Sequence, residues 1–398
     1  MNSVEPIGPG ERIEVVDILR GVALFGILLV NMEAFGWPLF MDGAREWDRL
    51  PDRLTDWLIR LLAEGKFYPL FAFLFGFGMA VQMARVEARG GRFLPLYARR
   101  LFVLLLIGAG HALLLWAGDI LVPYALLGFI LMLFRKRSGK AVIAWAAIGV
   151  LIAVVVNGVF VAWGDGPGSE GILRLLDARA TRAYGHGTFA DIFSQRLLDL
   201  AILYLFAPLS FPHIFVMFLL GLYAGRRGVF RDPEAARAMA GHVLPWVLAL
   251  GLMGNLIFVI AGEHAGRSES DLAGIAASTS VLVGGPALSA AYVAAIVLLV
   301  HNEVWRRRLM PLAALGRMAL TNYLLQSLIC TTIFYSYGLG LFGTVGPARG
   351  ALLTVAIYAV QVPLSIWWLR RFRFGPVEWL WRSLTYGRPQ PMRITAAG

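Results

Sequence analysis

Charged side chains are scarce in this chain. Asp, Glu, Lys and Arg supply 15% of its 398 residues, against about a quarter in a water-soluble domain, and so small a share cannot cover a soluble surface. Cysteine is rarer still. Cys330 stands alone inside an apolar run, which excludes an intramolecular disulfide, a thiolate-rich metal site and a two-cysteine redox motif. Phosphate-loop, paired-histidine zinc and nucleophile-elbow motifs are all missing, and no metal ligands and no tightly bound cofactor are expected.

What the chain has in plenty is hydrophobicity, 58% of residues. It is laid out in runs of roughly 18 to 24 residues, the length that carries a helix across a hydrocarbon core of about 30 Å. The runs predict an all-α, polytopic transmembrane bundle of about ten spans. These fall at 19–38, 66–84, 97–116, 119–134, 141–163, 200–225, 241–262, 278–300, 311–335 and 350–369, within one integral membrane domain over 1–398. The first run lacks a small-residue cleavage site and reads as a retained span. Between the first two, 45–65 spaces Trp47, Leu50, Leu54, Trp57, Leu58, Leu61 and Leu62 as one face of a helix, which suits a helix lying in the interface. The outer loop 164–199 opens on the turn-rich Gly164 to Gly168. Pro69 and Gly78 match Pro212 and Gly221 in spacing, too weak a likeness to define a repeat.

A net charge of +11 would suggest nucleic acid in a soluble protein, but the basic residues alternate from loop to loop. Arg85, Arg89, Arg92, Arg99 and Arg100 fall on one side. So do Arg135 to Lys140, Arg226 to Arg237, Arg306 to Arg308 and the segment from Arg370. This is the positive-inside pattern. It predicts a multi-pass protein of the bacterial inner membrane with both termini cytoplasmic. The bilayer is its partner and nucleic acid is not; monomer and oligomer stay open.

Ionisable groups at membrane depth cost a few kcal/mol each and normally face the bundle interior, so they are the candidates for function. His111 lies in the outer half of the third span, and Asp119 follows where the chain turns into the fourth. A carboxylate beside a histidine fixes its tautomer and makes a general base; equally, the Asp can cap a helix and the His can donate to a carbonyl. Asp17 and Arg20 are spaced to pair on the first span, and Asn31 stands eleven residues beyond Arg20, about 16 Å along the axis. Lys66, two residues after Glu64, opens the second span either as a site residue or as a snorkelling lysine. In the ninth, Asn322 and Gln326 share a helix face near Arg317; such a face can line a pathway or join two helices.

Taken in order, these residues resemble the YeiB-like family of bacterial membrane proteins, catalogued as domain of unknown function 418. The likeness runs from Asp17 and Leu19-Arg20-Gly21 to Asn31-Met32, then through Lys66-Phe67-Tyr68, Phe75-Gly76, Arg99-Arg100-Leu101, His111, Gly118-Asp119-Ile120-Leu121 and Tyr124-Ala125. It resumes at Gly316-Arg317-Met318-Ala319-Leu320-Thr321-Asn322-Tyr323 and ends with Gly375-Pro376, Glu378-Trp379, Trp381-Arg382 and Thr385-Tyr386. The stretch from Asp17 to Asn31 is also similar to the first span of transmembrane acyltransferases, the group of the lysosomal heparan-glucosaminide acetyltransferase. That resemblance implies acyl transfer from cytoplasmic acetyl-CoA to an acceptor across the membrane, with a histidine implicated. The lysosomal enzyme carries its histidine soon after the first span, whereas this chain has none between Asn31 and His111. His111 is therefore chosen on its own setting.

Two functions are expected to compete. In the enzyme, acetyl-CoA or another acyl-CoA is a donor substrate whose phosphates meet Arg20, Arg99, Arg100 or Arg317. Asn31 and Lys66 polarise the acyl carbonyl, while His111, oriented by Asp119, takes a proton from a glycan, lipid or small-molecule acceptor. In the alternative, a small-solute transporter, the same intramembrane polar residues line a translocation path.

Overall fold

The computed structural model describes residues 12–40, 47–164, 169–264 and 272–394; the leader before residue 12 and most of the turn at Gly164 to Gly168 lie outside them. Regular structure among these residues is helical, apart from one isolated β-bridge between Phe372 and Arg393. The first half of the chain forms α1 (Glu14–Gly36), α2 (Leu50–Leu62), α3 (Phe67–Ala88), α4 (Phe93–Leu114), α5 (Leu121–Leu131), α6 (Gly139–Gly164), α7 (Ser169–His186) and α8 (Phe189–Leu205). The second half forms α9 (Ala207–Arg227), α10 (Pro233–His264), α11 (Leu272–Val300), α12 (Glu303–Arg317), α13 (Ala319–Phe334), α14 (Pro347–Leu369) and α15 (Pro376–Tyr386).

Eight of the helical segments among the described residues are long and apolar enough to cross a membrane, and they coincide with eight of the ten predicted spans. The fourth and ninth predicted spans are shorter. α5 has 11 residues and α13 has 16, about 16 and 24 Å at 1.5 Å per residue, less than a hydrocarbon core of about 30 Å. The predicted sixth and ninth runs are each divided. Pro208 opens α9, and with no N–H to bond the carbonyl of Tyr204 it cannot continue α8, which ends at Leu205. The ninth run breaks at Met318, with φ −110° and ψ 31°. Ahead of α3, α2 keeps Leu50, Leu54, Leu58 and Leu62 exposed. That stripe at a spacing of four belongs against lipid, as its sequence pattern implies.

Without a hydrophobic drive between helices in lipid, small residues set which helices meet closely. α3 and α9 cross where a methyl on Gly76 would overlap the carbonyl of Phe218 and one on Gly221 the carbonyl of Phe73. α1 and α12 cross in the same way. A methyl on Gly21 would strike the carbonyl of Leu312, and one on Gly316 the carbonyl of Asp17. Burial follows from these crossings: 61% of the most apolar stretch of α1 is buried, against 17% for α6 at the rim. α1 is thus a central post, and Arg20 and Arg317 beside its glycine crossing are brought to one place.

Gly316→Ala is expected to destabilise the protein by about 1–3 kcal/mol, the range for overpacking. Gly110→Ala, where an added methyl meets nothing within 4 Å, should be neutral or slightly stabilising. Thermal unfolding of the two variants in one detergent compares them directly.

Candidate functional site

A cavity of about 250 Å³ opens between α1, α3, α4, α5, α12, α13 and α15. Its lining is graded in the same sense along α1, α3 and α4. On α1 it passes from Arg12, Asp17 and Arg20 to Leu24 and Ile27; on α3 from Arg85 and Gln82 to Phe75 and Phe71; on α4 from Tyr97 and Arg100 to Leu104. Arg317 precedes α13, which contributes Leu320 and Tyr323. One end therefore gathers six arginines, and the other is walled by apolar side chains with Tyr124 and Tyr323.

The acids at the arginine end are already engaged. Asp17 accepts from Arg20 at 3.0 Å and lies 3.8 Å from Arg12. Glu378, on α15, accepts from the backbone N–H groups of Leu320 and Thr321 at 2.7 and 3.0 Å and from the Thr321 hydroxyl at 2.5 Å. It caps α13 from outside that helix, satisfying donors that a helix start leaves open. Burial pushes its carboxyl up against the pull of those donors. Arg100 lies 3.7 Å over the Trp381 ring and Arg382 4.7 Å over Phe374. Arg100, Arg317 and Arg382 form no salt bridge among the described residues, and Arg317 Nε has no hydrogen-bond partner among them. Burial, then the charges of Arg100 and Arg12, pulls the Arg382 guanidinium down to about 10; burial lowers Arg317 too, against the opposing charge of Asp17. Cations so crowded are stabilised by an anion, and guanidiniums fit phosphate in pairs of hydrogen bonds.

Beyond the apolar end stands the His–Asp pair. His111 Nδ1 is 2.7 Å from Asp119 Oδ1 and Nε2 is 2.8 Å from Ser327 Oγ. Asp119 also accepts from the N–H of Val122 at 2.7 Å, so one carboxylate both pairs with His111 and holds the start of α5. The His111 side chain is fully buried, with the Tyr323 ring centre 5.0 Å from its own. Tyr323, Ile120 and Leu121 line the cavity and adjoin the pair. Eleven residues of α4, about 16 Å, separate Arg100 from His111.

The other expected site residues are distributed elsewhere. Asn31 is half-buried on α1, and its side chain forms no hydrogen bond with a described residue. Lys66 is fully buried, but its Nζ donates to the carbonyl of Arg60 at 2.6 Å and it lies outside the cavity lining. Arg99 is exposed beside Gly387, one helical step from Arg100, and does not line the cavity. Asn322 donates to Leu315 O and Ser365 Oγ, and Gln326 donates to Gln361 Oε1 at 2.8 Å. Their shared face therefore meets α14 and joins two helices. Arg20, Arg100 and Arg317 do come together in the cavity.

Sequence reasoning missed Arg12, Arg85, Arg382 and the contribution of α15. The signal was a dense run of charged and aromatic residues after the last span. It missed Ser327 as a partner of His111, which no local spacing reveals. It also passed over Arg196, fully buried on α8, whose Nη1 donates to Leu113 O while Nε and Nη2 have no hydrogen-bond partner among the described residues. Polar residues at Gln195, Arg196 and Asp199 interrupt the buried face there, a pattern visible in the sequence.

Fold and site together define a multi-pass, all-helical membrane protein with a cationic cavity facing a buried His–Asp pair. The family described as Protein of unknown function (DUF418) matches residues 224–388, the part that carries α12 to α15. The chain is 39% identical to YxaH of Bacillus subtilis, over 98% of both chains, and 32% identical to YeiB of Escherichia coli, over 94% of this chain and 96% of that one. A protein encoded in the amylase 3′ region of Bacillus acidopullulyticus is 29% identical over 98% of this chain and 99% of its own. The chain belongs to this YeiB-like family.

Glu378→Ala leaves the N–H groups of Leu320 and Thr321 uncapped and is expected to lower stability by about 1–3 kcal/mol, the penalty for unsatisfied buried donors. Thermal unfolding in detergent reads the loss, and Glu378→Gln, which keeps an acceptor, should recover part of it.

Proposed function

We propose that the protein is an acyltransferase of a bacterial cytoplasmic membrane, moving an acyl group, acetyl in the simplest case, from a CoA ester to an acceptor at or across the bilayer. The observation that carries this reading is the graded cavity, cationic at one end and apolar at the other, ending beside a histidine whose tautomer a carboxylate fixes. The arginine end faces the cytoplasm in this reading, in keeping with the positive-inside pattern. Arg100, Arg317 and Arg382 hold the donor's phosphates. The acyl-bearing arm extends between Phe71, Phe75, Leu24 and Leu104, and the nucleoside stays at the open mouth. Asp119 keeps the proton of His111 on Nδ1, so Nε2 is the nitrogen that takes a proton during transfer. The acceptor, a glycan, a lipid or a small molecule, approaches from the opposite side.

Label from acetyl-CoA should appear on an acceptor in a membrane extract when purified protein is added. Absence of both transfer and CoA binding, together with solute counterflow in sealed vesicles, would favour a transporter and contradict the proposal. Arg317→Gln and Arg382→Gln each remove charge-assisted hydrogen bonds worth about 1.5–3 kcal/mol, so CoA should bind roughly ten- to a hundredfold more weakly. Arg99→Gln should bind as the parent does. Calorimetric titration with CoA distinguishes the three.

A further inference from the structure

His111 has one nitrogen available for proton transfer, and that nitrogen is already committed. Asp119 uses both carboxylate oxygens as acceptors, toward His111 Nδ1 at 2.7 Å and the Val122 N–H at 2.7 Å, so Nδ1 carries the hydrogen. Nε2 is then an acceptor, and the group donating to it is the hydroxyl of Ser327, 2.8 Å away. Ser327 is fully buried on α13, where its other contact is the carbonyl of Tyr323 at 3.4 Å. A serine donating to the imidazole of a carboxylate-oriented histidine is the arrangement that activates a nucleophile, and it is recognised by geometry whatever the fold or residue order. A purely structural serine within a membrane helix satisfies its hydroxyl on the carbonyl four residues back; here that bond is the longer of the two.

We infer that Ser327 is an acyl-accepting nucleophile, and that transfer proceeds by double displacement through an acyl ester on its Oγ. The inference rests on the acyltransferase reading above. In the first step Ser327 Oγ attacks the thioester carbonyl carbon and its proton passes to His111 Nε2. The C–S bond breaks and the CoA sulfur leaves with that proton as the thiol. In the second, a hydroxyl or amine of the acceptor attacks the ester carbon and gives its proton to Nε2. The C–Oγ bond then breaks and Oγ recovers the proton. For the thioester to reach the serine, the Tyr323 side chain must turn. Tyr323 lines the cavity one helical turn before Ser327, and its hydroxyl reaches Gly118 O at 3.5 Å, the outer limit of a hydrogen bond.

The full-length protein is incubated with acetyl-CoA without acceptor, quenched in acid, digested and examined by mass spectrometry, with CoA binding measured in parallel. An acetyl ester on Ser327, released by hydroxylamine and absent from His111→Ala and Ser327→Ala, is expected. Ser327→Ala should still bind CoA, which shows that it folds, and should lose at least about a hundredfold in steady-state transfer; Ser327→Cys should trap the acyl group as a thioester. CoA bound without an ester on Ser327, or Ser327→Ala transferring at the parental rate, overturns the nucleophile and leaves the acyltransferase standing. Failure of the parent to bind CoA or transfer acetyl overturns both.

Discussion

Much of this structure depends on one close crossing of two helix backbones. Gly21 of α1 and Gly316 of α12 lie where any side chain would overlap the other helix's carbonyls. That contact sets Arg20 and Arg317 on neighbouring surfaces near Asp17, just before α12 ends. α13 starts from that point, and its first turns carry Leu320 and Tyr323 into the cavity and Ser327 to His111. The start of α13 is buried, so its orphan N–H groups need an acceptor from within the protein. Glu378 supplies it and thereby draws α15 across the arginine end.

The same cap explains what could and could not be read from the chain. Long apolar runs are a local property, and the eight long spans were legible at once. The break at Met318 was not, because it is stabilised by a carboxylate 58 residues from the first N–H it accepts. The pairing of His111 with Asp119 spans eight residues and a turn, and could be expected; the bond from His111 to Ser327 spans 216 and could not. Arg99 and Arg100 are indistinguishable by composition, yet one helical step of about 100° separates a surface residue from a cavity residue. Asn322 and Gln326 share a face whichever role they play. Only the position of Gln361 and Ser365 on α14 assigns them to joining helices.

The electrostatics are lopsided in a way that has a chemical consequence. Near the mouth, guanidiniums outnumber carboxylates, and the carboxylates present are spent on Arg20 and on a helix start. Near the far end no cation accompanies the His–Asp pair in the cavity lining, which there is apolar and aromatic. A ligand complementary to this gradient has a polyanionic head and a neutral, extended tail, and its reacting group lies at the tail. That description suits a CoA ester better than a compact solute. Along α4 about 16 Å separates Arg100 at the arginine end from His111 at the other.

The most direct measurement is a density map of the protein with bound CoA. The account predicts phosphates within hydrogen-bonding reach of Arg100, Arg317 and Arg382 and the thiol end beneath Tyr323, on the His111 side. A nucleotide seated elsewhere, or one whose thiol points away from Tyr323, would contradict it.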